Sequence, residues 1–317
     1  MNTDERIRAR LDPEAREALA ISEELYRSFG PVELGDIPRM RASYEHERRF
    51  WNAPPVAGIR TREASVAAAG IATRLRLYEP AKVESALTLV YLHGGGFTLG
   101  SIDTHDRIMR LHAARGSMRV LGVDYALAPE TRFPRQIDQI DRAIERAVDH
   151  FALDAGQLAF GGDSAGAHLA LAVSLARART GGPQPRALLL YYGVYGLRDS
   201  ASRRLWGTGT IGLTARKMDF YHETYLPSRE ALADPRFDLL SADLSEVPPS
   251  LVVAAVMDPL HDDSLALARL LEDRGRAVTF HAYDGVLHGF LHLSRRVPKA
   301  LDAIDRGVAF LQDAARG

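Results

Sequence analysis

A serine among glycines, then an aspartate, then a histidine, are the residues of this chain whose order and setting could do chemistry. Ser164 lies in Gly162-Asp163-Ser164-Ala165-Gly166, after the short apolar run Gln157-Leu158-Ala159-Phe160-Gly161 and before the Ala/Leu-rich run 167–175. The first run reads as a buried strand and the second as a helix. A G-x-S-x-G turned between strand and helix strains the serine backbone and lifts its hydroxyl above the sheet. The helix N-terminus behind it favours negative charge as it develops. The chemistry is nucleophilic attack on an acyl carbon.

Such an attack needs donors for the tetrahedral oxyanion, and His93-Gly94-Gly95-Gly96-Phe97 follows directly on the apolar strand Leu87-Thr88-Leu89-Val90-Tyr91-Leu92. Consecutive glycines at a strand end let the backbone approach a substrate and aim N–H groups at it. The expected oxyanion-hole donors are Gly95, Gly96 and Ala165. No Lys-Ser/Thr follows the glycines, which excludes a Walker-type phosphate loop.

The acid and base should follow in the order Ser…Asp…His. The strand-like run 250–257 ends at Asp258-Pro259-Leu260, and strand 277–283 leads to Leu287-His288-Gly289-Phe290. Strand C-terminal ends are where open α/β sheets place their ligands. His288 would take the Ser164 proton, and Asp258 would hold the other ring N–H. Asp262 and Asp263 read as first-turn acids that complement a helix dipole, and Asp163 as a structural acceptor. His281 and His292 flank His288, which is preferred because a glycine follows it in a loop after a strand. His261-Asp262-Asp263 looks like a metal cluster, but with no cysteine and no H-E-x-x-H no metal site is expected.

These groups must be held by a largely parallel sheet, because strand and helix patterns alternate through the middle of the chain. A hairpin is expected over about 61–78 with Gly70 at its turn. Further strands are expected at 87–92, 118–123, 158–161, 187–192, 251–256 and 278–283, with helices such as 135–151 and 265–273 between them. Two pieces break the alternation. Residues 1–50 are charged and helical in pattern, with Pro13 after Asp12 near a first-turn position. The stretch 197–238 is aromatic, carries Trp206, Tyr221 and Tyr225, and shows no sheet signal.

With HGGGF, the Asp124-Tyr125-Ala126-Leu127-Ala128-Pro129-Glu130 segment, GDSAG, DPL and HGF present in this order, the chain resembles the hormone-sensitive lipase-like family of α/β-hydrolases over roughly residues 60 to 315. Segments 99–111 and 192–200 are similar to the bacterial acetyl esterase branch of that family. The resemblance implies an α/β-hydrolase fold with a mostly parallel central sheet flanked by helices. It implies an N-terminal cap part at 1–50, core at 51–196, a cap insertion at 197–238 and core again at 239–317. It also implies hydrolysis of short-chain (acetyl to butyryl) esters by Ser164, Asp258 and His288 without a cofactor. Ala126 stands where the family often has arginine, and Ala167 where many members have glycine; neither removes a catalytic atom. Phe97, Leu99 and Tyr192 are candidates to shape the acyl pocket, with core packing the alternative for each; the preference for short acyl groups rests on analogy with the family. Two alternatives remain: a deacetylase or amidase on a larger acetylated molecule, and an esterase that also binds a regulatory protein.

At 317 residues the chain can bury one large α/β core with an appended element, or form two small domains. A net charge of −1 gives no electrostatic reason to bind nucleic acid. Of 40 basic residues only Lys82, Lys217 and Lys299 are lysines, and the arginines are scattered among acids. Without cysteines there are no disulfides, and the first residues have no apolar signal core. No apolar run is long enough to span a membrane. The expectation is a cytoplasmic enzyme acting on a small-molecule ester, with no nucleic-acid or membrane partner; the sequence leaves room for a homodimer.

Overall fold

The computed structural model describes residues 2–316. Three helices come first, α1 (Thr3–Arg10), α2 (Pro13–Phe29) and α3 (Ile37–Asn52), followed by a hairpin of β1 (Ile59–Ala68) and β2 (Ile71–Pro80). Its turn is Ala69-Gly70, both with positive φ, as tight hairpins require. Then come β3 (Thr88–Leu92), α4 (Asp106–Gly116), β4 (Arg119–Asp124), α5 (Arg135–Phe151), β5 (Leu158–Asp163), α6 (Ala165–Thr180) and β6 (Leu188–Tyr191). After α7 (Ala201–Trp206) and α8 (Ala215–Tyr225), the chain closes with β7 (Ser250–Ala255), α9 (His261–Asp273), β8 (Val278–Tyr283) and α10 (Pro298–Arg316).

The eight strands form one sheet in the order β1-β2-β4-β3-β5-β6-β7-β8. The β1–β2 and β2–β4 pairs are antiparallel, and every pair from β4 to β8 is parallel. Parallel strands need crossovers, and the helices supply them on both faces. Alternate residues of each strand feed two apolar layers. Val90, Leu92, Leu121, Leu188 and Val252 pack with α5, α6 and α9. Leu89, Tyr91, Val120, Leu189 and Val253 pack with α4 and α10.

In α5, Ile137, Ile140, Ala143, Ile144, Ala147 and Phe151 recur at helical spacing and form its buried stripe. Helix α6 is buried almost all round, as its Ala/Leu composition demands, and it runs back beneath the sheet from Ser164. Helix α9 starts four residues before the expected 265, because the chain turns into it directly after Asp258-Pro259-Leu260.

The two segments outside the alternation are tied to each other. Asp4 accepts from the Thr210 N–H at 2.8 Å and the Thr210 hydroxyl at 2.7 Å. Thr3 and Thr208 hydroxyls lie 2.7 Å apart, and Arg6 donates to the Leu205 carbonyl at 3.1 Å. Together they roof the C-terminal ends of the parallel strands.

Candidate active site

Ser164 occupies the turn between β5 and α6 with φ 54° and ψ −120°, a conformation that a side chain rarely adopts. It is held there by its own N–H, which donates to Tyr191 O at 2.8 Å. The hydroxyl is 2.9 Å from His288 Nε2, and His288 Nδ1 is 2.6 Å from Asp258 Oδ2. Asp258 is fully buried at the end of β7, and its other oxygen accepts from Leu260 N–H at 2.9 Å. With Nδ1–H directed at Asp258, Nε2 is left to accept the serine proton. The three sequence-selected residues are thus in hydrogen-bond succession, although 94 residues separate the serine from the aspartate and 30 more precede the histidine.

The glycine loop after β3 lies beside them. Gly95 and Gly96 both have positive φ, 123° and 60°, which glycine alone adopts freely. Among the described residues, no backbone group accepts the N–H of Gly95, Gly96 or Ala165, and all three residues line the Ser164 cavity. The loop is anchored from behind. Gly94 N–H donates to Asp163 Oδ1 at 3.1 Å, Tyr91 hydroxyl donates to the same oxygen at 2.9 Å, and Tyr125 hydroxyl donates to His93 O at 2.8 Å. Asp163 is therefore the acceptor that locks the glycine loop to β5. Burial pushes its carboxyl pKa up, but nearby His105 and these hydrogen bonds hold it below the ordinary value.

The rival residues have structural roles. Asp263 is buried, and one of its oxygens accepts from the N–H groups of Tyr195, Gly196 and Leu197 at 2.8, 3.1 and 3.2 Å. It does more than complement a helix dipole: it shapes the chain that leaves β6. Asp262 accepts from Ser202 N–H at 2.8 Å. His281 lies on β8 against Tyr283.

His105, Asp163 and His292 form a buried group whose ligand atoms lie within 4.8 Å of one another. Gly94 N–H points between two of them, 3.1 Å from His105 Nε2 and 3.1 Å from Asp163 Oδ1, so a donor occupies the position a cation would need.

The cavity above Ser164 measures about 620 Å³ and is walled by the sheet-end loops below and by α2, α3, α8 and the 210–213 turn above. Phe97 and Leu99 line it, with Phe97 stacked on Tyr225 at 4.0 Å between ring centres. Tyr192 does not line it. Its ring is fully buried behind His288 and edge-on to it at 5.0 Å, so it supports that ring instead of shaping a pocket. The sequence reading missed Tyr44, Glu47, Arg48 and Lys217, all on the cavity wall, and His292, which it weighed only as a rival to His288, lies there too. Only the aromatic bias of 197–238 signalled any of this wall, through Tyr221, whose ring packs on Gly96.

The family model for the alpha/beta hydrolase fold matches residues 89–292. The chain is 42% identical over 285 residues to the acetyl esterase of Salmonella typhi, covering 87% of each protein. A serine-to-alanine mutant of an α/β hydrolase from the metagenome of Lake Arreo, Spain, superposes with a TM-score of 0.88 at 33% identity, over 96% of this chain and 98% of that one. The hyperthermophilic esterase of the archaeon Pyrobaculum calidifontis superposes with a TM-score of 0.89 at 29% identity, over 97% and 100% of the two chains. Fold, motif order and these similarities together make the chain a member of the α/β-hydrolase fold family, in its hormone-sensitive lipase-like group.

Proposed function

We propose that this carboxylic ester hydrolase cleaves short-chain acyl esters, acetyl to butyryl, through a covalent acyl-enzyme. Ser164 Oγ attacks the ester carbonyl carbon while its proton passes to His288 Nε2. The oxyanion is met by the N–H groups of Gly95, Gly96 and Ala165. Collapse of the intermediate breaks the bond to the alcohol oxygen, which takes the proton back from His288. Water then attacks the acyl-enzyme with His288 again as base, releasing the acid and restoring Ser164. Asp258 keeps Nδ1–H oriented and stabilises the imidazolium formed in each half-reaction. Residues 1–50 and 197–238 act as a two-part cap that excludes water above the site.

The observation that carries this reading is the 2.9 Å and 2.6 Å succession from Ser164 through His288 to Asp258 at the floor of a cavity. The similarity to a bacterial acetyl esterase supports the short acyl group. The test is hydrolysis of p-nitrophenyl esters from acetate to laurate by the wild type and Ser164→Ala side by side. Activity should peak at the short acyl chains and fall by roughly four orders of magnitude or more in the variant. A peak at long chains would overturn the acyl preference, and near-normal turnover by Ser164→Ala would overturn the mechanism.

A further inference from the structure

An ion pair with unused hydrogen-bonding capacity sits on the roof of the catalytic cavity. Glu47 and Arg48, adjacent on α3, both line the cavity that contains Ser164. Arg48 NH1 lies 3.0 Å from Glu47 Oε2, with the two side chains 13% and 2% exposed. Glu47 is fixed from behind: its Oε1 accepts from Ser22 hydroxyl and from Trp51 indole N–H, each at 2.7 Å. The guanidinium lies over the Tyr44 ring, 4.6 Å from its centre, and Tyr44 stands edge-on to His292, four residues beyond His288. Among the described residues, Arg48 Nε and Glu47 Oε2 are buried and have no hydrogen-bond partner.

An ion pair withdrawn from water is weak evidence for stability, because its desolvation offsets much of the attraction. Here it also leaves a donor unpaired, which adds to the cost. The arrangement does suit recognition: a guanidinium paired with Glu47 and laid on the Tyr44 ring lines the cavity that holds Ser164.

We propose that Arg48 is a recognition residue for the alcohol portion of the ester, donating hydrogen bonds to oxygens of an uncharged, hydroxylated alcohol. This rests on the short-acyl reading above, because an acetyl to butyryl group fills only a small part of 620 Å³ and leaves the rest to the alcohol. The charge balance selects the class. Glu47 already neutralises the guanidinium, so an incoming carboxylate would share it with a fixed like charge, whereas a hydroxyl or ether oxygen accepts from it without that repulsion.

The experiment compares kcat/KM for 2,3-dihydroxypropyl acetate and n-propyl acetate, which differ only by two hydroxyls. The wild type should favour the hydroxylated ester by about tenfold or more, and Arg48→Met should bring that ratio towards one. Arg48→Met leaves Glu47 without its cation, so the double variant Glu47→Gln/Arg48→Met is measured alongside it, with thermal unfolding to show that both are folded. A ratio unchanged in the folded double variant, or no preference in the wild type, overturns the proposal. Preference for the acetyl ester of glycolate over both substrates, lost in Arg48→Met, overturns the uncharged class. Absence of wild-type activity on p-nitrophenyl acetate overturns the esterase mechanism beneath it, a failure that the substrate ratio cannot mimic.

Discussion

At the scale of single residues, the site separates three carboxylates by what each one holds. Asp163 fixes the glycine loop, Asp263 fixes the chain after β6, and Asp258 holds the ring of His288. Burial drives the Asp263 pKa up to about 7 against the pull of its three backbone donors, whereas Asp163, also pushed up by burial, is held below its ordinary value by neighbouring His105 and by its hydrogen bonds. Asp258→Asn keeps the size of the side chain but loses the negative charge and the preference for Nδ1–H. The expected result is a fall in kcat of about three to four orders of magnitude with a small change in KM, measured on p-nitrophenyl acetate. Retention of more than about a tenth of the activity would show that another group orients His288.

At the scale of elements, the elbow exists because β3, β5 and α6 come together with no room for side chains. A Cβ on Gly166 would lie 1.9 Å from Leu92 O and 2.7 Å from His93 O, both backbone atoms of β3 and the loop that leaves it. Neither can move without breaking the pairing of β3 with β5, which runs Thr88–Leu92 against Leu158–Gly162. Gly166→Ala should therefore destabilise the fold by about 3 kcal/mol or more, read as a lower urea midpoint, and a midpoint within experimental error of wild type would refute the crossing argument. This constraint explains why so much was legible in the sequence. A small-residue motif forced by a backbone crossing can be read from residue types alone, and strands buried on both faces announce themselves as continuous apolar runs. The two roof segments were named as a cap, but which of their residues face the cavity was not legible. Glu47 and Arg48 belong to a charged helical stretch that reads as a solvated face, and only its docking over the strand ends turns them towards Ser164. For Tyr192 residue type left pocket and core both open, and the fold puts its ring in the core, against His288.

For the whole molecule, the two apolar layers enclose polar groups whose charge state is set by burial. His112 is fully buried; its Nδ1 lies 2.9 Å from Ile108 O and its Nε2 2.9 Å from Tyr191 hydroxyl. His168 is fully buried and its Nδ1 lies 2.9 Å from Val194 O. Burial lowers both pKa values to about 4 from the ordinary 6.5. A protonated imidazole is thus favoured in the unfolded chain, and between these two values the unfolded state binds more protons, so stability rises with pH there. The contribution of each ring is complete above about pH 6.5 and is lost as the pH falls towards about 4, amounting to ~2 kcal/mol per histidine by pH 5. Many surface arginine–carboxylate pairs, such as Arg306–Asp302 at 2.9 Å, are half exposed and contribute far less to this slope. Urea unfolding of the wild type should therefore show a marked loss of stability from pH 7 to pH 5. His112→Gln retains hydrogen-bonding groups but cannot take up a proton, so it should be less stable than wild type at pH 7 and lose ~2 kcal/mol less over the same interval. Parallel declines in the two proteins would mean that His112 does not contribute to the acid lability of the fold.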